Sequence, residues 1–131
     1  SPTNHISNEI KNKDLVKGEH KVSNTIISFT AIEFPNQKVM DETSEIFQKD
    51  MSALADKLRL QGMIKFHSSR LFLPEGNLMR GNWLEYRDMA AFEVCDKIWV
   101  KNGEEFYEKY GEIMANIKFT SYRGQVVQDW S

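Results

Sequence analysis

Residues 62–91, GMIKFHSSRLFLPEGNLMRGNWLEYRDMAA, decide the fold of this chain. A run rich in β-formers from Met63 to about Leu73 stops at Pro74. Glu75-Gly76-Asn77 supplies turn residues, in a connection longer than a two-residue hairpin. A second strand covers about Asn82 to Arg87. Asp88 is then placed to cap a helix opening Met89-Ala90-Ala91-Phe92, because its carboxylate can accept the orphan amides of the first turn. Both strands alternate, but neither has a cleanly apolar face. Ile64, Phe66 and Ser68 share one side of the first; His67 and Ser69 share the other, matched later by Trp83, Glu85 and Arg87. Titratable side chains on a sheet face that ought to be covered are the functional lead. No motif in the chain names a reaction.

Working outward, TIISFTAIEF (25–34) is β-branched and aromatic, ends at Pro35, and reads as the first strand. Val39, Met40, Thr43, Ile46, Phe47, Met51, Leu54 and Leu58 follow at helical spacing, with Asn36 as N-cap and Gly62 ending the helix after Leu60. The helix beginning at Asp88 carries Phe92, Cys95, Ile98 and Trp99, is expected to break near Asn102-Gly103, and resumes from Glu104 to about Asn116. IKFTSYRGQVV (117–127) reads as the fourth strand, with Gly124 marking a bulge or bend. Trp130 is expected to pack on the body or on a partner chain. Residues 1–23 are polar and Asn/Lys-rich, which predicts a flexible arm whose His5 and His20 bind no metal; residues 24–131 form the domain.

Length and composition bound the rest. At 131 residues the chain is one domain, and 40% hydrophobic with 27% charged residues is ordinary for a soluble globular protein. Seventeen basic against nineteen acidic side chains give a net charge of −2, so nucleic acid is not an expected partner. Cys95 stands alone, which excludes an internal disulfide and a cysteine-based zinc cluster and fits a reducing compartment. No apolar run approaches the ~20 residues of a membrane span and no signal-peptide core is seen, so the expectation is a cytoplasmic protein without a membrane partner. Neither H-x-x-x-H nor H-E-x-x-H occurs, and neither G-x-G-x-x-G nor the P-loop pattern is present, so neither metal nor nucleotide cofactor is expected.

The order βαββαβ predicts an α+β, ferredoxin-like fold: one antiparallel four-stranded sheet with both helices on one face. The other face still holds Ile, Leu, Trp and Tyr, and several hundred Å² of apolar surface is rarely left open. A homodimer with sheets face to face is the expected solution. The strand-to-helix passage WLEYRDMAAFEVCDKIWVKNGEEFYEKYGEIM (83–114) resembles the dimeric α/β-barrel superfamily. That grouping holds antibiotic-biosynthesis monooxygenases, EthD-like and stress-responsive barrel proteins, and small polyketide cyclases. The resemblance covers about Thr25 to Val127 and implies dimerisation into an α/β barrel. Members that bind haem do so through a histidine on the second helix. Met89 to Asn116 contains none, which argues against haem degradation.

Choosing the more apolar face of each strand for the helices turns Ile27, Phe29 and Ala31 toward them, and leaves Ser28 and Thr30 facing a cavity beside the partner. Lys65, His67 and Ser69 join from the second strand, Trp83, Glu85 and Arg87 from the third, and Lys118, Thr120 and Tyr122 from the fourth; a single bulge would invert a strand. His67 beside Glu85 or Arg87 would be a general base with its orienter, while Arg87 and Tyr122 polarise a substrate oxygen. Ser28, Thr30, Ser69, Trp83 and Tyr86 complete the expected binding set. The plainer alternative makes His67 a structural residue, Glu85 with Arg87 or Arg70 a cross-strand ion pair, and the aromatics core or interface. Ser28, Thr30 and Ser69 lack a nucleophile-elbow setting and Cys95 lies on an apolar stripe, so covalent catalysis is not expected. Two functions remain. One is a cofactor-independent enzyme acting on a small apolar, aromatic or polyketide-like molecule, by oxygenation or by proton-transfer cyclisation or isomerisation. The other is a non-catalytic dimeric module that binds a small ligand or a protein. RNA binding on the sheet is a distant third, since the aromatic RNP1-type segment is missing.

Overall fold

The computed structural model describes residues 23–131. The expected arm therefore lies outside the described residues, apart from Ser23, whose hydroxyl accepts from the Thr25 amide at 3.0 Å. His5 and His20 lie outside them too. The elements are β1 (Ile26–Glu33), α1 (Gln37–Leu60), β2 (Met63–Leu71), β3 (Met79–Tyr86), α2 (Met89–Met114) and β4 (Lys118–Gln125). All strand pairs are antiparallel and the sheet order is β2-β3-β1-β4, the ferredoxin-like arrangement.

Local chemistry sets the boundaries. Asn36 caps α1, its side-chain oxygen accepting from the Val39 amide at 2.9 Å, and Asp88 caps α2 by accepting from Ala91 at 2.8 Å. Gly62 follows α1 with φ 105°, a conformation that costs a residue with a Cβ. A Cβ there would also lie 2.6 Å from that of Ala91, so the glycine lets the α1–β2 turn press against the first turn of α2.

The core is in two parts. Ile26, Leu54, Leu58, Met63, Leu84, Tyr86, Ala91 and Cys95 form one cluster; Ile32, Phe34, Met40 and Ile117 form the other. The two ends of β1, Ile26 and Ile32, are each only 3% exposed and each anchors one cluster. Burying each such side chain is worth about 1.5–3 kcal/mol, which fixes the face that β1 turns to the helices. That face is the opposite of the expected one: Ile26, Ser28, Thr30 and Ile32 look toward α1 and α2, and Ile27, Phe29 and Ala31 look away. Ile27, Phe29 and Ala31 are the more apolar set, so the majority rule picks the wrong face of β1.

Two further expectations are corrected. Helix α2 runs through Asn102-Gly103 without a break, and its kink lies further along, at Tyr110 (φ −128°, ψ 26°). A single glycine costs a helix about 1 kcal/mol, too little to break one held by packing. Gly124 pairs in unbroken register with Ile27 and marks no bulge. The bulge is in β2, where Ile64 is the extra residue between Met63↔Tyr86 and Lys65↔Glu85. It lets Met63 turn into the core while Lys65, His67 and Ser69 share the opposite face.

Candidate functional site

A cavity of about 360 Å³ opens between the sheet and the helices, in the size range of small-ligand sites. Its floor comes from β1, β3 and β4. Asn82, Thr30 and Ser121 lie directly opposite one another in register and form a polar row across three strands. The Thr30 and Ser121 hydroxyls are 2.8 Å apart. Ser28 lies two residues along β1, between Leu84 and Arg123. A polar row in the middle of a helix-covered face is unusual, because such positions normally complete the core. Here it is the gap between the two core clusters.

The wall and roof are aromatic. Phe92, Asp96, Trp99, Gly103 and Phe106 recur at spacings of three and four along α2, and Phe47 and Met51 come from α1. Phe47 stacks on Phe106 at 5.2 Å between centroids, and Phe92 meets Tyr86 edge-on at 5.5 Å. Two polar contacts tie roof to floor. Arg123 Nη2 donates to Asp96 Oδ1 at 3.1 Å, with its guanidinium over the Phe92 ring. Trp99 Nε1 donates to the Tyr86 hydroxyl at 3.0 Å. Burial pushes the Tyr86 phenol up to about 12, against the Trp99 hydrogen bond, which pulls it down. The group is therefore a neutral hydroxyl at any physiological pH.

The expected site residues divide between the two faces of the sheet. Ser28, Thr30 and Tyr86 line the cavity. His67, Ser69, Trp83, Glu85 and Tyr122 occupy the face away from the helices. There His67, Trp83, Phe29 and Tyr122 form one cross-strand row. The expected pairing of His67 with Glu85 is corrected by the register: His67 lies opposite Trp83, and Glu85 lies opposite Lys65. Glu85 accepts from Trp83 Nε1 at 3.0 Å and is 3.5 Å from Lys65 Nζ. Among the described residues no hydrogen bond or ion pair joins His67 to Glu85. Arg87 lies past the end of β3, its Nε 3.3 Å from Asp88 and its backbone amide on the Gly62 carbonyl. Neither Tyr122 nor Arg87 lines the cavity; Tyr86 and Arg123 do.

Asn82, Asp96, Trp99, Asn102, Ser121 and Arg123 are among the lining residues that sequence reasoning missed. One signal was available: Asp96 interrupts the apolar stripe of α2, between Phe92 and Trp99. Among the described residues no cluster of His, Cys, Asp or Glu has metal-holding geometry, and no helix is long and apolar enough to cross a membrane.

No family model and no curated protein matches the chain. Solved structures do. A dimeric ferredoxin-like protein from an uncultured marine organism is 23% identical, with a TM-score of 0.67 over 85% of this chain and 99% of that one. A second dimeric ferredoxin-like protein, also from an uncultured marine organism, is 17% identical, with a TM-score of 0.72 over 82% and 98%. A protein of Shewanella oneidensis is 16% identical, with a TM-score of 0.53 over 85% and 100%. At these identities the likeness speaks to fold, and the fold is ferredoxin-like.

Proposed function

We propose that this protein binds a small, mostly apolar, aromatic molecule in the cavity between sheet and helices, and does so as a homodimer joined through the open sheet face. The observation that carries the ligand reading is the composition of the cavity: an aromatic roof over a polar row, placed where a plain structural domain would close its core. Two dimeric neighbours of the same fold support the second copy, as does the row of His67, Trp83, Phe29 and Tyr122 on the uncovered face. Membership of the dimeric α/β-barrel superfamily belongs to the same reading.

The test uses the neutral fluorophore 1-aminoanthracene, whose emission rises in apolar sites. Saturable binding at one site per chain is expected, and Ser121→Phe, which fills the cavity from its β4 wall, should abolish it without changing the fold. Equal binding by the two proteins would place the fluorophore elsewhere and sink the reading. Sedimentation should give twice the chain mass.

A catalytic version is favoured by one observation, the Asp96 carboxylate in the cavity wall. Proton-transfer cyclisation or isomerisation needs an acceptor, and Asp96 takes the role that His67 cannot fill from the other face. Oxygenation of an electron-rich ring through its own reactivity would need enclosure more than a base. Turnover lost in Asp96→Asn with ligand binding retained would support the proton-transfer version; unchanged turnover would remove it.

A further inference from the structure

Two hydroxyls in the cavity are buried with hydrogen-bonding capacity that the protein does not use. Tyr86 is 2% exposed and Ser28 is 6% exposed. The Tyr86 oxygen accepts from Trp99 Nε1, an indole N–H that can only donate, so the phenolic proton must point elsewhere. Among the described residues no group accepts that proton, and none pairs with the Ser28 hydroxyl. Buried polar groups are nearly always partnered, and leaving one unmade costs stability. Both side chains line the cavity, on neighbouring strands and on the same face: Ser28 is opposite Leu84, two residues from Tyr86. Asn82 lies two residues from Leu84 in the other direction and lines the cavity as well.

We infer that Tyr86 and Ser28 are specificity-determining donors, and that the ligand is an uncharged aromatic carbonyl compound, such as an aryl ketone or quinone, whose oxygen accepts from the Tyr86 hydroxyl. This rests on the cavity reading above. The ligand brings an acceptor, because the Tyr86 oxygen already accepts from Trp99 and its proton is the part of the group without a protein partner. An uncharged ligand fits best because Arg123, the one cation in the lining among the described residues, is held by Asp96 at 3.1 Å. A carboxylate entering the cavity would meet a wall with no net charge, and an unpaired buried anion is costly. The phenol keeps its proton up to about pH 12, so the donor is present throughout the physiological range. A Trp99–Tyr86–ligand chain of hydrogen bonds in an aromatic enclosure also strengthens each member.

The experiment displaces 1-aminoanthracene with three molecules that share one ring system: 2-acetylnaphthalene, 2-ethylnaphthalene and 2-naphthoate. The ketone is expected to displace at about tenfold lower concentration than the hydrocarbon, the size of effect that one buried hydrogen bond gives, and the carboxylate should be weakest. In Tyr86→Phe the ketone-to-hydrocarbon ratio should fall to about one, while the hydrocarbon still binds; Ser28→Ala should lower the ratio less. A ratio near one in the native protein, a ratio unchanged in Tyr86→Phe, or tightest binding by 2-naphthoate would each overturn the inference. Those outcomes leave the cavity reading intact. Failure of the native protein to bind 1-aminoanthracene would remove both. Because the readout is a ratio within each protein, a general loosening of Tyr86→Phe cannot mimic the result, and the native ratio decides even if that variant does not fold.

Discussion

The two faces of the sheet have been built to different rules. The helix-covered face is apolar at its ends and polar in its middle: Ile26 and Ile32 are buried in separate clusters, while Ser28, Thr30, Asn82 and Ser121 floor a cavity. The open face is the reverse, with aromatics in the middle. Phe29 lies across Gly81, where an added Cβ would meet the ring at 2.8 Å, and is flanked by Trp83 and Tyr122. Polar side chains on a covered face leave room for a guest, and aromatic side chains on a bare face call for a cover. A count of hydrophobic residues on each side of a strand therefore points the wrong way in β1, where the two rules meet.

Adjacent residues of β3 give the strongest test of that contrast. Leu84 is 4% exposed among the helices, and Trp83, next to it, is 39% exposed on the other face. Leu84→Ala should cost about 2–5 kcal/mol at any protein concentration, through lost transfer energy and the cavity it leaves. Trp83→Ala should cost most of its effect only where dimer forms, so its unfolding midpoint in urea should depend on protein concentration less than that of the native chain. Equal, concentration-independent losses at the two positions would mean that the open face belongs to the fold of the single chain.

Tyr122→Asp attacks the open face alone. The side chain is 61% exposed, so the folding of one chain should change by no more than about 0.5 kcal/mol. Within a sheet-to-sheet interface, an unpaired carboxylate would cost several kcal/mol. Sedimentation should therefore show a folded monomer. A dimer that survives this substitution would have to use another surface.

Most of the fold is legible in the sequence. The element order, the Asn36 and Asp88 caps and the Gly62 terminus follow from local chemistry, and local chemistry is what a sequence displays. On β2, β3 and β4 the period-two pattern also gives the observed faces, with Lys65, His67, Ser69, Trp83, Glu85, Lys118, Thr120 and Tyr122 away from the helices. What sequence could not supply is long-range. Whether His67 meets Glu85 or Trp83 depends on register, and register depends on the Ile64 bulge. Ser28 and Thr30 do line the cavity, but without the residues of the opposite face that alternation alone groups with them. Arg123 and Asp96 meet across 27 positions of chain, and nothing in either neighbourhood foretells the contact.

Tyr86 allows a test of the covered face by pH. Its phenol titrates near 10 when unfolded and at about 12 in the folded chain, so the neutral form is the one that folding favours. The unfolded chain therefore loses its proton first as pH rises. Stability from this group is complete below pH 10 and is lost between about pH 10 and 12. The loss amounts to about 2–3 kcal/mol, since each pH unit between the two titration points is worth roughly 1.4 kcal/mol. Urea unfolding across that window should show the decline in the native protein and a shallower one in Tyr86→Phe. Matching declines would mean that the Tyr86 hydroxyl is wetter than its packing implies.

The smallest expected effect concerns the roof. Gly103 sits inside α2, lines the cavity, and has nothing within 4 Å of where a Cβ would be. Glycine in a helix interior costs about 0.5–1 kcal/mol relative to alanine, so Gly103→Ala should stabilise the fold by that amount. The helix does not need a glycine here for its geometry, since α2 continues through it. The space above the polar row is a reason to keep one. A methyl group takes little of about 360 Å³, so Gly103→Ala should bind 1-aminoanthracene nearly as well as the native chain, whereas Gly103→Trp should exclude it. Stabilisation with binding kept in the first variant and lost in the second would tie the glycine to the cavity. If Gly103→Ala instead loses stability, the helix must bend at this point, and the roof would be a hinge instead of a lid of fixed height.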